Sequence, residues 1–165
     1  HLSIRRQRQM CIRDRPNSGD RKNLLMANIL GIDYGKKYIG YAIGNDITLT
    51  SSTKGTIIYK NQKKLFQGIQ DLVNEWEIKL VILGLPINMD DTESKMSREV
   101  RSFKEKIEKS LNIKCKLHDE RLSSFEAKQQ MDVIKKNKTQ PNPGIDAFAA
   151  QVILESWLRE KSRNV

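Results

Sequence analysis

Three short apolar segments, each cut off by glycine or polar residues before a helix can begin, set the strongest limit on what this chain can fold into. Ile29 to Tyr34 and Tyr38 to Ile43 are joined by Gly35-Lys36-Lys37, a spacing that suits a β-hairpin. A third strand is expected from Thr53 to Tyr59. The period then changes. Leu65, Ile69, Leu72, Val73 and Trp76 recur at helical spacing, and Lys79 to Leu83 is a compact β-rich run stopped by Gly84 and Pro86. Met96, Val100, Phe103, Ile107 and Leu111 form one helical stripe, with Glu93 near its start and Lys109 near its end, as the helix dipole prefers. A strand at Lys114 to His118, a helix at Ser123 to Ile134, a polar basic loop at Lys135 to Gly144 and a last helix at Ile145 to Arg159 complete the order. An antiparallel meander followed by alternating helices and strands predicts an α/β fold, a mixed sheet with helices on both faces.

The 165 residues suit one domain, and 38% hydrophobic content is enough for a core. Thirty lysines and arginines against twenty acids give a net charge of +10, which favours polyanionic partners, nucleic acid first among them. Half of that surplus lies in residues 1–25, which hold seven basic and two acidic residues with no amphipathic period. This segment reads as an upstream artefact or a disordered basic arm, with Met26 as the expected start of the domain at 26–165. Outside it Cys115 is the one thiol, on a predicted strand between Lys114 and Lys116. With no secretory signal and no apolar run near 18 residues, a cytoplasmic protein without a membrane segment is expected.

Three carboxylates stand where elements begin or end. Asp33 closes the run Ile29-Leu30-Gly31-Ile32, and Gly31, on the same face, leaves room for a ligand or an approaching helix. Glu120 follows the strand Ile113 to Leu117, between Asp119 and Arg121. Asp146 opens the last helix, whose Ala147, Ala149 and Ala150 would let its backbone come close to a sheet. Each has a bland explanation as a turn residue or helix cap. Gathered at one sheet edge, however, they would repel by roughly 4 kcal/mol per close pair at an effective dielectric of 20. A divalent cation relieves that repulsion, and an all-oxygen set without thiolates favours Mg²⁺ or Mn²⁺ over zinc. Lys36, Arg121, Lys135, Lys136 and Lys138 are the candidates for phosphate contact.

Gly31-Ile32-Asp33-Tyr34-Gly35, Ile39-Gly40, Gly84-Leu85-Pro86-Ile87-Asn88-Met89-Asp90, His118-Asp119-Glu120-Arg121-Leu122-Ser123-Ser124 and Asp146 to Leu154 together resemble the YqgF family across Ile29 to Leu158. The resemblance implies an RNase H-like fold and a nuclease that matures the 5′ end of pre-16S ribosomal RNA or resolves Holliday junctions. It implies Asp33, Glu120 and Asp146 as catalytic metal ligands, with Asp119 the weaker candidate, and a 5′-phosphate product. One departure from the family pattern is Pro141-Asn142-Pro143-Gly144-Ile145, where a basic residue often precedes the last aspartate.

Two other readings compete. Asp33-Tyr34-Gly35 also resembles the first phosphate hairpin of actin-like ATPases, but no second Asp-x-Gly motif follows in a chain this short. A non-catalytic nucleic-acid-binding module would bind without regard to metal. Both apolar helix stripes are expected to be consumed by the protein's own sheet, which favours a monomer over a dimer and pre-rRNA over branched DNA.

Overall fold

A computed structural model of the chain describes residues 27–122, 129, 132, 133 and 143–164. The basic segment 1–25, most of the helix expected from Ser123 to Ile134, and Lys135, Lys136 and Lys138 lie outside the described residues.

The strand order is β3-β2-β1-β4-β5. β1 (Asn28–Asp33) pairs antiparallel with β2 (Tyr38–Asn45), and β2 with β3 (Thr50–Ile58). After helix α1 (Gln62–Glu75) the chain re-enters beside β1 as the parallel strand β4 (Ile78–Leu85). Helix α2 (Lys95–Leu111) then leads to β5 (Lys114–Asp119), parallel to β4 and at the far edge. A 3₁₀ turn, Glu120–Leu122, follows, and α3 (Pro143–Arg163) ends the fold. The meander, the mixed sheet and helices on both faces are as expected from the sequence.

Pleating divides the sheet residues between two cores. Leu30, Ile32, Val81, Leu83, Leu85 and Cys115 point to one face, where Leu65 and Ile69 of α1 and Val100, Phe103 and Ile107 of α2 cover them. Ile29, Ala42 and Ile82 point to the other, where Ala150, Ile153, Leu154 and Leu158 of α3 meet them. Burying each such leucine or isoleucine contributes about 1.5–3 kcal/mol.

The α3 face is paved with small residues. A methyl on Gly31 would lie 2.8 Å from Leu154 Cβ, and one on Gly44 would lie 3.0 Å from Leu154 Cδ2. The helix therefore sits close to the strands. Ala147, Ala149 and Ala150, all buried, are its matching contribution, as their size predicted.

Local signals explain most element ends. Asn61 caps α1 by accepting from the Lys64 amide at 2.8 Å. At α2 the sequence pointed to Glu93 as the favourable acid, but Glu93 forms an ion pair with Arg101 at 2.6 Å and the first turn holds no acid. Ser94 is the cap instead, in a reciprocal box with Ser97. Ser97 is fully buried because its hydroxyl also donates to the Pro86 carbonyl, fastening α2 to the end of β4. Asn112 in left-handed conformation, φ 48°, stops α2.

Candidate active site

β1 and β4 are parallel, so their carboxyl ends lie together, and the register Ile32↔Leu83 puts Asp33 one step beyond, beside Gly84. Asp33 shares the α3 face with Gly31. Its antiparallel partner on the other side is Gly40, and the start of α3 rests on that glycine: a methyl there would stand 1.8 Å from the Asp146 carbonyl oxygen and 2.7 Å from the Ala147 amide nitrogen. Asp146 is thus docked against the strand position paired with Asp33. It also occupies the first turn of α3, where the positive end of the helix dipole favours a carboxylate.

Glu120 reaches the same corner from β5. Its carboxylate folds back over β4 so that Oε1 lies 2.7 Å from where a side chain on Gly84 would begin. Gly84 thereby serves the acid and not the packing alone. All three carboxylates are half-buried. Beside them Tyr34 stacks on Phe103 at 4.7 Å between ring centroids, holding the end of β1 to α2. Burial, then the charge of Glu99, raises the Tyr34 phenol above its ordinary 10.0.

Asp33, Glu120 and Asp146 therefore lie at one end of the sheet, on one face. Their donor chemistry suits a hard cation, and glycines at 40 and 84 let the start of α3 and the Glu120 side chain come close to the strands. Among the described residues no three His, Cys, Asp or Glu side chains stand close enough to share one ion as they are.

The other candidates are placed differently. Lys36 is exposed in the turn between β1 and β2, at the Asp33 end. Arg121 is committed to protein: Nη2 donates to Asp119 at 2.8 Å, Nη1 to Asp91 at 2.5 Å and to the Asn88 carbonyl at 3.3 Å. These bonds push its guanidinium pKa further up and hold the Asp119 carboxyl below its usual 3.8. Asp119 also accepts from the Arg121 amide at 2.9 Å, so it caps the 3₁₀ turn. Asp119 is thus the partner of Arg121, and Glu120 is the acid that turns towards Gly84.

Sequence reasoning made nothing of His118. It is 3% exposed, and Nε2 lies 2.9 Å from Ser156 Oγ of α3, whose hydroxyl donates to the Leu122 carbonyl at 3.1 Å. With the one hydroxyl proton given to Leu122, Ser156 accepts from His118, which assigns the proton to Nε2. Nδ1 faces Glu160 at 3.5 Å. Burial lowers the His118 pKa, with Glu160 and Asp119 opposing. This chain of bonds joins β5, the turn that carries Glu120 and the helix that carries Asp146. Its hint in the sequence was a histidine on the face opposite Cys115 and Leu117, at a strand end.

The chain is similar to known proteins in sequence and in fold. Proteins named "Putative pre-16S rRNA nuclease" are 39% identical over 134 residues in Pseudomonas syringae pv. tomato, covering 80% of this chain and 91% of that one, and 33% identical over 133 residues in Anaeromyxobacter sp. (strain K), covering 81% and 97%. Among solved structures, Thermus thermophilus RuvC in complex with a Holliday junction substrate superposes with a TM-score of 0.55 at 10% identity over 84% of this chain and 98% of that one. Fowlpox virus resolvase with its Holliday junction DNA gives 0.51 at 16% identity over 81% and 98%. At such identities these two bear on the fold alone, which is RNase H-like. Because the RuvX model, described as Holliday junction resolvase, matches residues 27–160, the chain belongs to the RuvX (YqgF) family.

Proposed function

We propose that this chain is a cytoplasmic endonuclease that hydrolyses phosphodiester bonds with Asp33, Glu120 and Asp146 as metal-binding catalytic residues, and that its substrate is the 5′ leader of pre-16S ribosomal RNA. The observation that supports the reading is the position of these three acids at one end of the sheet, Asp33 at the end of β1, Glu120 turned towards Gly84 of β4 and Asp146 at the start of the helix that rests on Gly40. Asp33, Glu120 and Asp146 would hold Mg²⁺ or Mn²⁺, which would supply positive charge to acidify a water and offset charge on the phosphoryl oxygens. Asp33, on the strand, is the fixed carboxylate. Glu120 and Asp146 approach from a turn and a helix end, so they can adjust as the site fills. The half-buried setting limits water around the reacting phosphate, and Lys36 in the neighbouring turn offers charge to the chain beyond it. Names of relatives at 39% and 33% identity support the RNA substrate. The family description supports a second reading, resolution of four-way DNA.

The test is a side-by-side assay of the full chain on a pre-16S 5′-leader RNA and on a mobile four-way junction, with Mg²⁺, Mn²⁺ or Ca²⁺. Cleavage of the RNA in Mg²⁺ or Mn²⁺ is expected. Ca²⁺ should permit binding with little turnover, since its looser coordination does not fix an attacking water. Asp33→Asn should stay folded and lose cleavage. Full activity in excess chelator, or in Asp33→Asn, would refute the metal site, and paired symmetric nicks in the junction with uncut RNA would reverse the choice of substrate.

A further inference from the structure

Between Tyr34 and Leu65 the sequence carries six lysines and a single acid, Asp46. The fold sorts them. Asp46 lies past the far end of β2 and pairs with Lys161 at 2.7 Å. Five of the lysines collect at the opposite end. Lys36 and Lys37 form the β1–β2 turn; the Tyr59 amide donates to the Lys37 carbonyl at 2.9 Å, which brings Lys60 alongside; and Lys63 and Lys64 sit in the first turn of α1. All five are exposed, and no ion pair engages them among the described residues. Half-exposed Tyr59 and Ile58 lie among them.

This crowding runs against local preference. The first turn of a helix is the positive end of its dipole and favours acids, yet α1 opens with two lysines and no acid. The described acid that bears on this end from the helical face is Glu99 of α2, which acts on Tyr34. Such crowded positive charge is stabilised by an external polyanion, and an exposed aromatic ring among lysines suits bases as well as phosphates. The end in question is also the catalytic one: Tyr38 and Ile58 are register partners, and β2 meets β1 at Gly40 opposite Asp33.

Resting on the nuclease reading above, we propose that Lys36, Lys37, Lys60, Lys63 and Lys64 with Tyr59 form a shelf that grips the phosphodiester backbone of the nucleic-acid substrate on the β3 side of the cleavage point. Two strand spacings separate β3 from β1, about 10 Å. With one phosphate per strand for about every 3.4 Å of duplex axis, the shelf holds phosphates roughly three nucleotides along the axis from the bond that is cut. Charge, not sequence, is read here, so the shelf anchors any strand that presents a backbone.

The test compares the full chain with a shelf variant, Lys37→Gln, Lys60→Gln, Lys63→Gln and Lys64→Gln together. A control of equal charge carries Lys79→Gln, Lys106→Gln, Lys109→Gln and Lys114→Gln, four exposed positions toward the other end of the sheet. Binding to the leader RNA and to the junction is measured against salt, with melting temperatures to certify folding. For four lost contacts the slope of log K against log salt should flatten by about 3, while the control changes by less than about 1. Equal flattening in both variants, or a shelf variant with the wild-type slope while the wild type still binds and cuts, would overturn the shelf and leave the nuclease reading standing. A wild-type chain that neither binds nor cuts either substrate would overturn the nuclease reading itself.

Discussion

Gly40→Ala is the sharpest single test of how the acids are brought together. The added methyl would stand 1.8 Å from the Asp146 carbonyl oxygen and 2.0 Å from its carbonyl carbon, whereas real Cβ atoms keep at least 3.0 Å from their neighbours. The start of α3 must therefore retreat by at least 3.0 minus 1.8, or 1.2 Å. It cannot slide as a body, because Leu154 is seated over Gly31 and Gly44 further along, so the helix tilts outward at the Asp146 end. Overpacking of this kind costs about 1–3 kcal/mol, a fall in melting temperature of roughly 3–10 °C for a domain of this size. A displacement near 1 Å at a catalytic group lowers turnover by on the order of 100-fold. Nuclease rates at saturating RNA and Mn²⁺, taken where both proteins are folded, measure the second effect separately from the first. Gly68→Ala in α1 is the matched control: its methyl would meet only Ile57 at 3.5 Å, and replacing a helix-interior glycine should stabilise by about 0.5–1 kcal/mol without touching activity. A Gly40→Ala protein that melts early but turns over at the wild-type rate would refute a catalytic place for Asp146.

Ser156→Ala removes the acceptor of His118 and the donor to the Leu122 carbonyl, so it should destabilise by about 1–3 kcal/mol in urea unfolding with an unchanged m-value. Cys115 is 3% exposed, with its thiol pushed up to about 12 by burial and then by Glu108; alkylating reagents at pH 8 should label it only after denaturation. Acid should unfold the protein partly through Asp46 and Glu108. Asp46 sits below its ordinary 3.8 because the bonds from Lys161 and the Ala27 amide outweigh its desolvation, and Glu108 below 4.5 through Lys104 and the Cys115 amide. Groups with depressed folded-state values stabilise fully above their unfolded values and lose that contribution as pH falls. Stability should thus decline below about pH 4 to 5, and Asp46→Asn should make the decline shallower in a pH series of melting temperatures.

What the sequence disclosed was governed by distance along the chain. Strand and helix stripes are periodic within ten or fifteen residues, and so the meander, the two amphipathic helices and the buried Cys115 between outward lysines were all legible. Asp33 and Asp146 could be singled out because each borders a local pattern, Gly31 for one and a run of alanines for the other. Glu93 misled because charge near a helix start is a weaker signal than a serine box one residue later. Arg121 is a candidate for phosphate contact by residue type; its partner Asp91 is 30 positions away, and only the fold brings the two together. His118 and Ser156 are 38 apart and meet for the same reason. The lysine shelf required the register of β2 on β3, which no linear scan supplies.

The bond between Arg121 and the β4–α2 loop also limits how the molecule can move. Asn88 and Asp91 are held by the residue next to Glu120, and the loop is closed on itself by Asn88 Nδ2 to Thr92 Oγ1 at 2.9 Å and by Thr92 to Asp90. Met89, 91% exposed, rides at its tip. A guanidinium cannot give the same N–H groups to Asp91 and to a phosphate at once. An anion that takes Nη1 of Arg121 releases the loop, and a shift of the loop bears, through Asp91, on the turn that carries Glu120. One side chain thus ties the loop to the turn of Glu120, so neither can shift without straining the other.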